Sequence, residues 1–237
     1  MSDRYSNGSY LQHNRDWHQE DSPYKAGLVM KALAQSDVTF SNCADVGCGA
    51  GRVASILAKQ FSDKQFIGFD TSKDVAPFWT KHEADNLTFS LTDIVKVQQR
   101  FDLVLCLEVF EHVDDGFLKA LRDRGSRFIF NIPLDMSVAK LLTGGLRYVR
   151  EEVGHLHYFS TYSAIETLKY AGYRIDCSFL SAMFRQTRPR NVRQALMLAP
   201  RLLTSVMGDT LSAVLTGGYS LVVLASPAER SPHGSAA

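Results

Sequence analysis

A strand that runs directly into a glycine-rich turn, and from there into a helix, constrains this chain more than any other feature. Cys43-Ala44-Asp45-Val46 reads as the end of a short buried strand, Gly47-Cys48-Gly49-Ala50-Gly51 as the turn, and Arg52 to Phe61 as the helix. Glycines at alternate positions let the backbone turn tightly and come close to a ligand, while the free N–H groups of a helix start favour anions. Alone, such a loop admits many nucleotide-like ligands. A dinucleotide fingerprint wants a third glycine where this chain has Arg52, which disfavours NAD or FAD.

The surroundings alternate. Strand-like Asn42 to Val46, Gln65 to Asp70, Leu87 to Leu91, Phe101 to Leu107 and Arg127 to Ile132 are interleaved with helical Arg52 to Phe61, Lys73 to Glu83 and Asp114 to Arg122. This predicts an α/β fold with a doubly wound parallel sheet and helices on both faces. An earlier helix starts at Ser22-Pro23, a cap followed by a first-turn proline, and ends near Gln35. After Pro133 the pattern loosens, then recovers with helix Tyr162 to Tyr170, strand Arg174 to Leu180 and a last strand Tyr219 to Leu224. Two stretches stand outside the alternation. One, about 135–159, holds Gly144-Gly145, His155 and His157; the other, 182–218, carries Arg185, Arg188, Arg190, Arg193 and Arg201 with no acidic residue until Asp209. Insertions after strands in such sheets build the substrate side of a site. The expected organisation is a leader over 1–24, one domain over 25–226 with these two insertions, and a disordered tail over 227–237.

A chain of 237 residues suits one sizeable core. Its 26 Lys and Arg balance 25 Asp and Glu, so whole-chain charge offers no attraction for nucleic acid, which is not an expected partner. Cys43, Cys48, Cys106 and Cys177 show no C-x-x-C spacing, against a zinc knuckle or disulfide frame. The opening residues hold no apolar signal-like run, and no segment approaches the ~20 apolar residues of a membrane span, so a cytoplasmic setting is expected.

Three acids stand at successive strand ends. Asp45 precedes the glycine turn; Asp70 closes the next strand, where a carboxylate can accept from both hydroxyls of a ribose; Asp93 follows the third in Leu91-Thr92-Asp93-Ile94. Each singly is as readily a helix cap. Their joint spacing with the loop points to one crevice.

DVGCGAG at 45–51, FIGFDTS at 66–72, LTDI at 91–94 and FDLVLCLEVFEHV at 101–113 together resemble the motifs of class I S-adenosylmethionine-dependent methyltransferases, over roughly residues 25 to 226. The resemblance implies a Rossmann-like seven-stranded sheet with its final strand antiparallel, and S-adenosyl-L-methionine across the strand ends, leaving as S-adenosyl-L-homocysteine. It also implies that Asp45 and the backbone near Gly47, Gly49 and Gly51 lie against the methionine part, Asp70 and Thr71 at the ribose, Asp93 and Ile94 near the adenine, and Glu108 beside the cofactor.

Glu108, Glu111 and His112 are spaced i, i+3, i+4, so on a helix after the fourth strand they share a face. Such a set could bind a divalent cation with His155 or His157 as a further ligand. The reading preferred from sequence is metal-free: Glu108 contacts the cofactor region, Glu111 favours the positive end of a helix and His112 packs on the sheet. The stretch resembles the same region of ubiquinone-biosynthesis O-methyltransferases and of small-RNA 3′-terminal 2′-O-methyltransferases, which use an E-x-x-E-H set with a metal. His157-Tyr158-Phe159 matches the H-x-F pattern of the latter. A metal, on this resemblance, would be held by Glu108, Glu111, His112 and His157.

Methyl transfer needs an aligned acceptor and, for a hydroxyl, removal of its proton. His112, His155 and His157 are the candidate bases, with His157 ranked above His155. The aromatic leader, with Tyr5, Tyr10, Trp17 and Tyr24, is expected either to fold over the cofactor as a lid or to pack on the sheet. Residues 183–207 mix arginines with Leu196, Leu198, Leu202, Leu203 and Val206, which suits either packing on their own domain or contact with a lipid-like substrate or a membrane surface. The function expected is S-adenosylmethionine-dependent O-methylation of a small-molecule or lipid-like acceptor. Alternatives are RNA 3′-terminal 2′-O-methylation and a non-catalytic cofactor-binding regulatory module. Oligomeric state has no signal in the sequence.

Overall fold

A computed structural model describes residues 19–186, 189 and 192–229. Helix α1 (Ser22–Ala34) leads into β1 (Asn42–Val46), α2 (Arg52–Gln60), β2 (Gln65–Asp70), the one-turn α3 (Ala76–Trp79), β3 (Leu87–Leu91), β4 (Phe101–Leu107), α4 (Asp115–Arg122) and β5 (Gly125–Pro133). The chain continues through α5 (Val138–Leu142), α6 (Gly145–Tyr148), α7 (Thr161–Tyr170), β6 (Tyr173–Ala182), α8 (Val192–Ser205), α9 (Asp209–Leu215) and β7 (Tyr219–Pro227). The seven strands form one sheet in the order β3-β2-β1-β4-β5-β7-β6. The first five pair in parallel, and β7 runs antiparallel between β5 and β6.

Strands covered on both faces read as continuous apolar runs. In β4, Val104 and Cys106 pack with Phe128, Phe130 and Tyr173 on one face, while Leu103, Leu105 and Leu107 pack with α1 and α2 on the other. The Tyr173 ring sits edge-on to Phe128 and Phe130, and its hydroxyl donates to Leu118 O at 2.8 Å, so burial leaves no polar group unsatisfied there.

Two expected helices differ. The helix expected over Lys73 to Glu83 is only a 3₁₀ turn (Lys73–Val75) and α3, because Pro77 has no N–H to donate back to Lys73 and interrupts the ladder. After β4, Glu108 is a non-glycine residue at φ 58°, Phe110–His112 form a 3₁₀ turn, and α4 begins only at Asp115 under an Asp114 cap. Glu108, Glu111 and His112 therefore do not ride one α-helix.

Strand order reverses between β1 and β4, and ligands of open α/β sheets bind in the crevice beyond that point. Both insertions close over it. The first supplies α5, α6 and a π-helical turn (Val149–Val153); the second supplies α8 and α9, with α9 packed on both α8 and α5. The lid expected over 1–24 falls largely on residues 1–18, outside the described residues, and so does the tail from 230 onward. Tyr24 lies inside α1, bonded to Ser181, and Pro227 still belongs to β7.

Candidate functional site

The crevice is a cavity of about 1030 Å³ running from the glycine turn to the two insertions. At its inner end Gly47, Gly49 and Gly51 have φ of 65°, 52° and 84°, conformations that side chains resist. A Cβ at Gly51 would lie 2.5 Å from the Phe89 ring, and one at Gly47 2.6 Å from Val109, so the turn is fitted between Phe89 of β3 and Val109 just after β4. Asp70 ties the turn to β2: its Oδ2 accepts from Gly49 N at 2.9 Å and its Oδ1 from Ser72 N at 2.8 Å. Trp79, a residue sequence reasoning missed, donates Nε1–H to Gly49 O at 2.9 Å and stacks on Phe89 at 5.1 Å. Its only signal was an aromatic residue in a segment broken by Pro77.

Asp45, Gly47, Gly49, Gly51, Asp70, Thr71 and Glu108 all line the cavity. Asp93 and Ile94 do not. Asp93 Oδ1 accepts from Val95 N at 3.1 Å as the cap of a 3₁₀ turn, and Ile94 is buried in the core. The side chain of Asp93 thus serves the helix-cap role that single strand-end acids commonly take.

Lys25, also missed, crosses from α1 to pair with Glu108 at 2.7 Å. An isolated lysine in an amphipathic helix carries no sequence mark of such a contact. Glu108 is held further by its N–H, which donates to Asn131 O at 2.8 Å, and this fixes its strained backbone. Asp45 sits behind, with Oδ2 buried and no hydrogen-bond partner among the described residues. Burial pushes its carboxyl up to about 7, the Lys25 charge opposing.

At the outer end Glu111 is 1% exposed and neither carboxylate oxygen has a hydrogen-bond partner among the described residues. Burial, reinforced by the Glu108 charge, holds its carboxyl well above the usual range. His112 donates Nδ1–H to Gly154 O at 3.1 Å, and His155 donates Nδ1–H to Asp135 Oδ2 at 2.6 Å. Both Nε2 atoms thereby turn toward Glu111 Oε1, at 3.8 Å and 3.7 Å. Burial pulls the His112 imidazole down to about 4, so it is neutral near pH 7. Lys140 also contacts Asp135, whose carboxyl is lowered because its bonds to His155 and Lys140 outweigh burial.

This arrangement corrects three expectations. Glu111 is enclosed beside two imidazoles and does not sit at a helix start. His155 lines the cavity, whereas His157 is exposed with its ring near Phe159, which reverses their ranking. The ligand atoms that could hold a cation come from Glu111, His112 and His155, all within 4.8 Å of one another, with Glu108 drawn off to Lys25 and His157 facing out. A carboxylate and two imidazoles make a nitrogen-rich set suited to Mn²⁺, Fe²⁺ or Zn²⁺ more than to Mg²⁺. Asp135 and Gly154 O orient the rings as outer-shell partners of metal-binding histidines do.

Residues 17–178, more than half of the chain, match the sequence profile of the family described as "Methyltransferase domain". The chain belongs to this family. Among curated relatives of this methyltransferase-domain chain, the ubiquinone biosynthesis O-methyltransferase of Coxiella burnetii is 38% identical over 77 residues, 30% of this chain. The match spans about a third of that relative's length, 32%. Among solved structures, the Synechocystis magnesium protoporphyrin IX methyltransferase with bound S-adenosylhomocysteine aligns with TM-score 0.57 and 15% identity, covering 90% of this chain and 85% of that one. A Bradyrhizobium japonicum N-methyltransferase in complex with S-adenosylhomocysteine aligns with TM-score 0.56 and 14% identity, covering 90% of both chains. At these identities the structural likeness establishes the class I methyltransferase fold. No helix among the described residues is long and apolar enough to cross a membrane.

Proposed function

We propose that this protein is an S-adenosylmethionine-dependent methyltransferase that methylates an oxygen of a small-molecule or lipid-like acceptor. One observation carries the reading: a single cavity joins the glycine turn and Asp70 at one end to the Asp135–His155 pair at the other. The inner end fits the cofactor. Asp45 Oδ2, buried without a partner, suits the positive charge of its methionine end, and Lys25 suits the carboxylate. Asp70 accepts from the backbone N–H groups of Gly49, Ser72 and Thr71, and a carboxylate with about four acceptor sites retains capacity for a ribose hydroxyl.

When bound, the cofactor supplies a sulfonium methyl already activated for displacement. The protein's part is to place the acceptor and take its proton. Asp135 fixes the His155 tautomer with the proton on Nδ1, leaving the Nε2 lone pair, beside Glu111 in the cavity wall, as general base for an acceptor hydroxyl. The match to an O-methyltransferase supports an oxygen acceptor.

A second reading adds a divalent cation at Glu111, His112 and His155, favoured by the convergence of their ligand atoms and by the unpartnered Glu111 oxygens. The cation would lower the acceptor's pKa in place of a base. The test is turnover: the protein, labelled S-adenosylmethionine and a panel of phenols, alcohols and amines. Label transfer to hydroxyl compounds supports the reading, and transfer confined to amines contradicts it.

A further inference from the structure

The α8 helix is amphipathic in the inverted sense. Val192, Leu196 and Leu203 recur at helical spacing on one face and are 75%, 72% and 74% exposed, and Val206 and Met207 extend the stripe beyond the helix at 85% and 68%. The opposite face is polar: Thr204 Oγ1 lies 2.7 Å from Ser212 Oγ, and the Arg201 guanidinium stands over the Phe184 ring. A surface helix of a soluble domain turns its apolar stripe inward and its polar face out. Here the polar groups are spent on α9 and the apolar stripe faces away.

The other insertion continues the surface. Leu141 and Leu142 of α5 are 57% and 81% exposed, and α5 packs on α9. The same elements wall the cavity, since Leu196, Met197, Thr143 and Tyr148 line it. The apolar surface is therefore the rim of the candidate active site. An apolar surface of this extent beside a site marks an interaction face.

Charge identifies its partner. Within 182–218 the sequence has five arginines against a single acid, Asp209, whereas the first insertion, 135–159, balances Lys140, Arg147 and Arg150 with Asp135, Glu151 and Glu152. The chain as a whole has 26 basic and 25 acidic residues, so the second insertion concentrates its positive charge and the remainder is net acidic. An exposed apolar stripe in an arginine-rich segment, on a helix of 14 residues that is about 20 Å long and too short to span, has the chemistry of an in-plane helix on an anionic bilayer.

We propose that α8, with α5, docks this protein onto an anionic lipid bilayer, with the mouth of the cavity facing the lipid. Two weak signals combine, since apolar insertion and cationic attraction each bind reversibly on their own. The consequence for substrate, entry of a lipid-dissolved acceptor directly from the bilayer, rests on the methyl-transfer reading; the docking itself does not.

The test is co-sedimentation of the full chain with phosphatidylcholine vesicles, with and without phosphatidylglycerol, with S-adenosylhomocysteine binding measured in parallel. Binding to the phosphatidylglycerol vesicles that weakens with added salt is expected. L203E/V206E, outside the cavity lining, is expected to lower the partition coefficient at least ten-fold while keeping S-adenosylhomocysteine affinity. Should that variant lose its fold, L203W replaces it, and vesicles are expected to shift its tryptophan emission to the blue. No binding to either vesicle, equal binding by L203E/V206E, or an unshifted L203W emission overturns the proposal. So does a lipid-free dimer that L203E/V206E splits, which would assign the stripe to a second copy of the chain. Loss of S-adenosylhomocysteine binding with vesicle binding intact would fault the methyltransferase reading alone.

Discussion

Asp135 accepts a hydrogen bond from His155 Nδ1 at 2.6 Å, joining the end of β5 to the far side of the first insertion. That bond places the proton on Nδ1 and turns Nε2 toward Glu111 Oε1 at 3.7 Å, and the proposed methyl transfer uses His155 as the base. His155→Ala is expected to lower turnover about 10²–10⁴-fold, the usual worth of a positioned general base. S-adenosylhomocysteine affinity should stay as it is, because the residue stands at the acceptor end. Asp135→Asn, which keeps the shape and no longer enforces the tautomer, should lower kcat and flatten its pH profile. Steady-state kinetics across pH checks both.

Gly51→Ala places a Cβ 2.5 Å from Phe89 at φ 84°. A non-glycine residue held there costs about 1–3 kcal/mol from backbone conformation alone, and the stacked Phe89–Trp79 pair must move as well. Urea unfolding should show the loss, accompanied by weaker S-adenosylhomocysteine binding.

The parallel strands and glycine turn were legible because each rests on local pattern: apolar runs, glycines in series and acids at strand ends. The histidine geometry was not. Whether His155 or His157 enters the cavity depends on Gly154 at φ 87° and on Asp135 twenty residues earlier, neither of which alters the H-x-H spacing. The E-x-x-E-H spacing was likewise read on a helix that the left-handed Glu108 prevents. Lys25 was invisible for a similar reason, since its partner lies 83 positions along the chain.

Asp45 sets a pH dependence. Its carboxyl is raised from 3.8 to about 7 by burial, so the folded protein binds a proton there that the unfolded chain releases above pH 4. A raised carboxyl contributes stability that is complete below the unfolded value and is lost as pH rises through the folded one. Asp45→Asn should therefore melt higher than the wild type at pH 8, with a clearly smaller gain at pH 5. Thermal melts of the ligand-free protein at both pH values check the sign.

The cation reading makes its own demand. Mn²⁺ or Zn²⁺ should raise the melting temperature of the wild type by linkage, and Glu111→Ala should abolish that rise while S-adenosylhomocysteine affinity holds. Full turnover in excess EDTA would leave His155 acting without a metal.

The most direct test of the account is calorimetry with S-adenosylhomocysteine on the wild type and Asp70→Ala. Asp70 lines the cavity and joins the glycine turn to β2, and loss of its charged acceptor should weaken binding by about 1.5–3 kcal/mol. Saturable binding by the wild type with a ten-fold or greater loss in the variant is the predicted result. No binding of S-adenosylhomocysteine by the wild type, tighter binding of NADH, or equal affinity in the variant would contradict it.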